Sequence, residues 1–188
     1  MKKYFIACML SVVAAAPAFA VDTYTFDPEY TIPAFEVGHL GFTTQRGRFD
    51  KAEGKVVLDI PAQKGSVEFT VFTKSLDMGS KAWTVHVRSE GLFNVEKFPT
   101  MTFKSANLIF DKDKVVGAEG DFTLLGITKP LKITVNRFNC GANPVNNKYM
   151  CTGDISATIK RSDYGMIKYI PTVSDEIQIS VPVESYRQ

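Results

Sequence analysis

Few residues in this chain are of types that do chemistry, and their spacing limits what they can do. Histidine occurs twice, as His39 and His86. A zinc site needs three protein ligands if catalytic and four if structural. The two histidines nominate no third ligand, so no metal is expected. The chain has no Gly-x-Ser-x-Gly elbow, no His-Glu-x-x-His, no Cys-x-x-Cys and no glycine-rich phosphate loop. Asp59, Glu68 and Asp154 fall at wet strand positions, where a solvated face accounts for them. Asp163 and Asp175 fall in expected loops, where a turn role accounts for them. Catalytic constellations are thin, and no catalytic residue is nominated. His39 is in phase with Phe35 and Val37. It reads either as a satisfied structural histidine or as a partner for the polar end of a ligand. Trp83, the single tryptophan, reads either as core packing or as the lining of a pocket mouth, because it joins a large apolar body to one donor.

Of the three cysteines, Cys8 lies in an expected leader, and Cys140 and Cys151 remain. Lys2 and Lys3 precede an apolar run from Tyr4 to Ala16, then Pro17 and the small-x-small sequence Ala18-Phe19-Ala20. Residues 1–20 therefore read as a secretory signal peptide cleaved after Ala20, and residues 21–188 as one domain. A membrane anchor is the weaker reading, because the apolar run is short of the ~20 residues a spanning helix needs. A lipoprotein reading through Cys8 is weaker still, since almost no apolar run precedes it. Export to an oxidising compartment makes a Cys140–Cys151 disulfide the default. The segment between them is rich in turn formers (Gly141, Asn143, Pro144, Asn146, Asn147), so the bridge would staple the neck of a hairpin. Without the two leader lysines, basic and acidic residues balance. A neutral chain with no basic cluster has little long-range attraction for nucleic acid or anionic membranes.

The elements that position these residues repeat with a period of two. Val67, Phe69 and Val71 alternate with Glu68, Thr70 and Phe72; Leu131, Ile133 and Val135 with Lys132, Thr134 and Asn136; Ile155, Ala157 and Ile159 with Asp154, Ser156, Thr158 and Lys160. Strand side chains point to opposite faces in turn, so each run has one apolar and one wet face, the mark of antiparallel sheet. Runs are expected near 22–27, 34–40, 47–60, 66–74, 99–110, 113–124, 130–139, 149–160 and 174–184. The one break in the period, 79–93, predicts a short helix. The fold class is therefore all-β with one short helix, a closed antiparallel barrel of about eight strands. The interior of such a barrel is either filled by side chains or holds one ligand. Its expected lining includes Phe35, Phe69, Met101, Phe103, Phe122, Leu124, Ile133 and Ile155. Periodicity alone does not separate a filled barrel from a hollow one.

A set of segments then lines up in order with one family. Lys74-Ser75-Leu76-Asp77-Met78 follows Val67–Val71. His86-Val87-Arg88-Ser89, Leu92-Phe93 and Phe98-Pro99-Thr100-Met101-Thr102-Phe103-Lys104-Ser105 come next. Gly120-Asp121-Phe122-Thr123-Leu124, Gly126-Ile127-Thr128-Lys129-Pro130, Arg161-Ser162-Asp163-Tyr164-Gly165-Met166 and Val173-Ser174-Asp175-Glu176-Ile177 complete the set. In this order and spacing the chain resembles the YceI-like family of bacterial polyisoprenoid-binding proteins, over about 22–185. The chain departs from the family where Tyr30-Thr31 replaces a frequent His-Ser pair, and where Trp83-Thr84 replaces a frequent Arg-Asp pair.

The resemblance implies a lipocalin-like barrel with an internal apolar tunnel, a bound polyisoprenoid or isoprenoid quinone such as ubiquinone, no catalysis, residence in the periplasm and a homodimer. The ligand-binding residues expected on this basis are Phe35, Val37, His39, Phe69, Val71, Trp83, Val87, Leu92, Phe93, Met101, Phe103, Phe122, Leu124, Ile133, Ile155 and Met166. A carrier of this kind would make transient contact with membranes. The alternatives are a ligand-free structural or surface interaction protein with a filled barrel, and an isoprenoid-modifying enzyme.

Overall fold

A computed structural model describes residues 21–188. The signal-peptide expectation, with Cys8, falls on residues 1–20, outside the described residues. The described chain folds into strand segments β1 (Asp22–Phe26), β2 (Ala34–His39), β3 (Thr43–Phe49), β4 (Ala52–Asp59), β5 (Lys64–Phe72), β6 (Leu76–Asp77), β7 (Thr100–Asp111), β8 (Lys114–Leu124), β9 (Ile127–Ala142), β10 (Tyr149–Lys160) and β11 (Val173–Arg187), with one helix, α1 (Lys81–Arg88). Neighbours pair antiparallel throughout.

These segments make an eight-stranded closed barrel, because three pairs of segments each act as one strand. β10 covers one side of β11 along its length. On the other side, β2 pairs with the first half of β11 and β1 with its end, Tyr24 opposite Arg187. β1 and β2 thus share one place in the barrel, and β3 and β4 share the next. β5 and β6 share a third, interrupted by a turn of 3-10 helix at Thr73–Ser75. Closure leaves no free sheet edge along these strands, which removes the usual site of edge-to-edge aggregation.

The alternation of the sequence is what the barrel reads. In β5, Phe69 and Val71 face in while Glu68 faces solvent and meets Lys55 of β4 at 3.6 Å. Tight turns supply the reversals. Between β8 and β9, Leu125 and Gly126 both hold positive φ (51° and 74°), the backbone that a two-residue hairpin turn requires. Between β9 and β10, Cys140 lies directly opposite Cys151 and is bonded to it.

Three expectations need correction. The run near 47–60 is two strands broken at Asp50-Lys51, and its pairing begins earlier, at Thr43. The helix covers only Lys81–Arg88 of the expected 79–93. Beyond it the chain turns, with Phe93 N–H donating to the Val87 carbonyl at 3.1 Å, and Leu92 and Phe93 drop into the core from a loop. Asp175 is on β11, not in a loop, although it does organise a neighbouring turn.

Candidate functional site

The barrel is hollow. Its buried apolar side chains form two separate clusters. One is built on Phe35, Phe49, Leu76, Leu92, Phe93 and Met101, the other on Tyr24, Leu58, Val115 and Cys151. Inward-facing residues along the wall, among them Phe69, Phe122, Ile133, Ile155, Ile177 and Ile179, are only partly buried. In a filled barrel these positions would be closed over by their neighbours at crystal-like density. Here they face a cavity of about 650 Å³, within the range of ligand-binding pockets.

Cross-strand register builds the wall. Phe69, Phe103 and Phe122 stand side by side on β5, β7 and β8, with Val71 opposite Met101 one step away. Ile133 stands opposite Ala118, and Ile155 opposite both Val135 and Val181. Phe35 and Val37 of β2 stand opposite Ile179 and Ile177 of β11. Leu124, Leu92, Phe93 and Met166 pack around the upper end. Every residue nominated from the sequence, from Phe35 to Met166, lies on this cavity's wall.

Polar groups on the wall concentrate at one end. There the β2–β3 turn, α1 and the loop between β10 and β11 come together around a mouth. The His39 and Trp83 rings lie 5.5 Å apart, the His86 and Tyr169 rings 5.7 Å apart, and Leu40 N–H donates to the Thr172 carbonyl at 2.8 Å. Trp83 is 39% exposed and lies on the cavity wall at this mouth. The other end is a floor formed by the Cys151 and Ser185 region, where the Ser185 hydroxyl donates to the Cys151 carbonyl at 2.8 Å. Among the described residues no three His, Cys, Asp or Glu side chains converge on a point that could hold a metal.

Many wall residues were not nominated from the sequence, among them Leu131, Ile177, Ile179 and Tyr169, and one of them is a buried cation. Arg161 is 2% exposed, yet no carboxylate among the described residues is in ion-pair contact with it. Its guanidinium is spent on backbone: Nε donates to the Ser174 carbonyl (2.9 Å), Nη1 to Met166 (2.7 Å) and Lys168 (2.9 Å), and Nη2 to Val173 (3.0 Å). It thereby ties both arms of the 165–173 loop to the end of β10. Burial pushes its pKa below the ordinary arginine value, and the Asp175 carboxylate partly opposes this. Asp175 in turn accepts from Ser162 N–H (2.8 Å) and Ser162 Oγ (2.7 Å), which together hold its carboxyl below the usual carboxylate range. The sequence signal for Arg161 was its place immediately after a strand; its burial depends on the fold of the loop that wraps it.

A closed antiparallel barrel with one apolar, lipid-sized cavity and a partly polar mouth is lipocalin-like in architecture. Residues 24–185 match the YceI-like domain, and the chain belongs to that family. Among curated relatives, a UPF0312 protein of Pseudomonas aeruginosa is 32% identical over 177 residues, covering 93% of this chain and 91% of the relative. Another, from Pectobacterium atrosepticum, is 29% identical over 182 residues, with 95% and 94% covered. Among solved structures, BcnA of Burkholderia cenocepacia superposes with a TM-score of 0.69 at 27% identity, covering 85% of this chain and 98% of BcnA. A polyisoprenoid binding domain from Saccharophagus degradans shares the fold, with a TM-score of 0.64 at 15% identity and 88% and 98% covered.

Proposed function

We propose that this protein binds and carries a long isoprenoid lipid, a polyprenyl quinone such as ubiquinone or a related polyisoprenoid, with the tail inside the barrel and the polar head at the mouth. It acts in the periplasm, reached through the leader at residues 1–20. The observation that carries the reading is an unfilled interior whose wall is apolar along most of its length, with its histidines and charged side chains near one opening. The likeness in fold to a polyisoprenoid binding domain supports the ligand class.

The shape favours a chain over a compact ligand. From Cys151 to Arg161 the wall follows one strand; at ~3.3 Å per residue and a tilt near 40° it extends about 25 Å along the barrel axis. Burying a prenyl tail from water is worth ~0.8 kcal/mol per CH₂, which for a long tail exceeds any observed affinity. The true competitor is the bilayer, where the tail is equally well solvated, so the net preference is small. A small preference lets a carrier both load and unload.

Native mass spectrometry of detergent-free protein, followed by organic extraction, tests the reading. The expected result is one co-purified polyprenyl species. Substituting the adjacent pair Phe69→Glu and Phe103→Lys places charge on the apolar wall and abolishes retention. A protein that purifies empty and refuses added quinone would overturn the proposal. Ala157→Phe offers a second check, because Ala157 faces the cavity and is only partly buried. In a hollow barrel the larger side chain enters free space, costs less than about 1 kcal/mol and lowers lipid uptake. Overpacking a filled interior would instead cost about 1–3 kcal/mol.

A further inference from the structure

Four large apolar side chains stand around the mouth without lining the cavity. Phe42 in the β2–β3 turn is 90% exposed, Val85 on α1 is 63% exposed and Ile167 in the 165–173 loop is 68% exposed; Ile170, in the same loop, is exposed as well. They come from three separate segments that the His39–Trp83 and His86–Tyr169 contacts and the Leu40–Thr172 hydrogen bond bring together. Single exposed apolar residues need no explanation, but several on the segments that frame one opening do. Neither the core nor the cavity uses these four side chains.

We propose that this rim is a docking surface for an anionic phospholipid bilayer, through which the barrel exchanges its lipid; the proposal rests on reading the cavity as a lipid site. The apolar tips enter the interface between headgroups and acyl chains. Trp83 and Tyr169 sit among them, and both residue types favour that depth. Lys81 on α1 and Lys168 beside Tyr169 are exposed, and neither is in an ion pair among the described residues. Both would face lipid phosphates, and each cation near an anionic surface favours binding. Docking at the rim also sets the mouth against the phase from which the cargo comes, so the tail need never cross water. A second copy seated here about a two-fold axis would seal the mouth and bring Lys81 and Lys168 towards their own equivalents.

The test is flotation of full-length mature protein with vesicles of phosphatidylethanolamine and phosphatidylglycerol, run beside gel filtration. The wild type floats with these vesicles and less with phosphatidylcholine alone, and brominated phospholipids quench the fluorescence of Trp83, the single tryptophan. The triple variant F42S/V85S/I167S lowers the bound fraction by at least about tenfold, because three inserted apolar side chains are lost. The same variant still retains polyprenyl quinone supplied from detergent, since none of the three residues lines the cavity. Lys81→Glu weakens binding to anionic vesicles and not to phosphatidylcholine. A wild type that retains quinone but neither floats nor is quenched overturns the docking surface and leaves the cavity reading standing. A wild type that floats but takes no quinone overturns the cavity reading, and with it the exchange of lipid through the rim, while showing that the protein still binds the bilayer. A wild-type dimer that the triple variant converts to monomer would show that the rim meets a second copy, and would also overturn the proposal.

Discussion

The two ends of the barrel are built from different materials. At the floor end the strands are joined by the turns Ile60–Gln63, Lys112–Asp113 and Asn143–Lys148, and the longest hairpin is locked covalently by Cys140–Cys151. At the mouth end the β2–β3 and β8–β9 turns are tight, but the segment from β6 to β7, which contains α1, and the β10–β11 loop are long, and several exposed large apolar residues lie on this end's connections. What holds the mouth is a buried cation: Arg161 donates to four carbonyls of the 166–174 segment and stands in for the sheet pairing that the loop lacks. The floor is fixed by a bond that leaves nothing to adjust. The mouth is held by hydrogen bonds that can be broken and remade, as an end that admits cargo requires.

The two ends should part most widely when Arg161 is lost. Arg161→Met keeps the apolar stem and removes every donor, leaving carbonyls of the loop without partners in a buried site. The expected loss is about 3–5 kcal/mol in denaturant unfolding, the range for losing one partner of a buried charged network. Hydrogen exchange should speed up first at residues 165–174 and leave 138–152 protected. Equal acceleration at both ends would mean that Arg161 supports the whole barrel rather than its mouth. Next in size is the floor. Replacing both cysteines by serine removes a bridge spanning a sequence separation of 11 and should cost about 2–3 kcal/mol on the loop-closure estimate. Exchange should then rise in the β9–β10 hairpin and not at the mouth.

The floor and the walls were more legible in the sequence than the mouth. Alternation is a local property, so Phe69, Phe103, Ile133 and Ile155 could be assigned to one face without knowing the partner strands. Cys140 and Cys151 announced a hairpin because turn formers fill the interval between them. The mouth depends on contacts far apart in the chain. Leu92 and Phe93 keep their place on the wall but reach it from a loop after α1 has ended, because the chain folds back through hydrogen bonds to Val87 and Arg88. Arg161 stands in sequence only as the first residue of the segment Arg161–Met166, with no role of its own. Asp163 faces outward to Lys129 at 3.4 Å, and Arg161 turns in. The hollowness itself was not readable from periodicity, since the same inward residues serve a filled or an empty barrel. It depends on how far apart closure holds the opposing walls.

The smallest effect, and the one that separates the two ends most cleanly, is that of acid. The Asp175 carboxyl is held below the usual carboxylate range by the hydrogen bonds it accepts from Ser162, with help from the Arg161 charge. A carboxyl with a lowered folded-state pKa binds fewer protons folded than unfolded, so stability rises with pH across that interval. Its contribution is complete above the ordinary carboxylate value, about 4. It fades as pH falls below that value and is lost once pH passes through the lowered folded value. The disulfide at the floor has no titrating group to lose. Acidification below about pH 4 should therefore loosen residues 161–175 before the β9–β10 hairpin, as read by residue-resolved exchange or by Trp83 emission at the mouth. Asp175→Asn should remove most of that preferential loosening and lower stability at neutral pH by about 1 kcal/mol, the scale of weakened hydrogen bonds to a charged acceptor. If the wild type and Asp175→Asn loosen alike in acid, the pH response comes from the barrel's other carboxylates and the mouth has no acid sensitivity of its own.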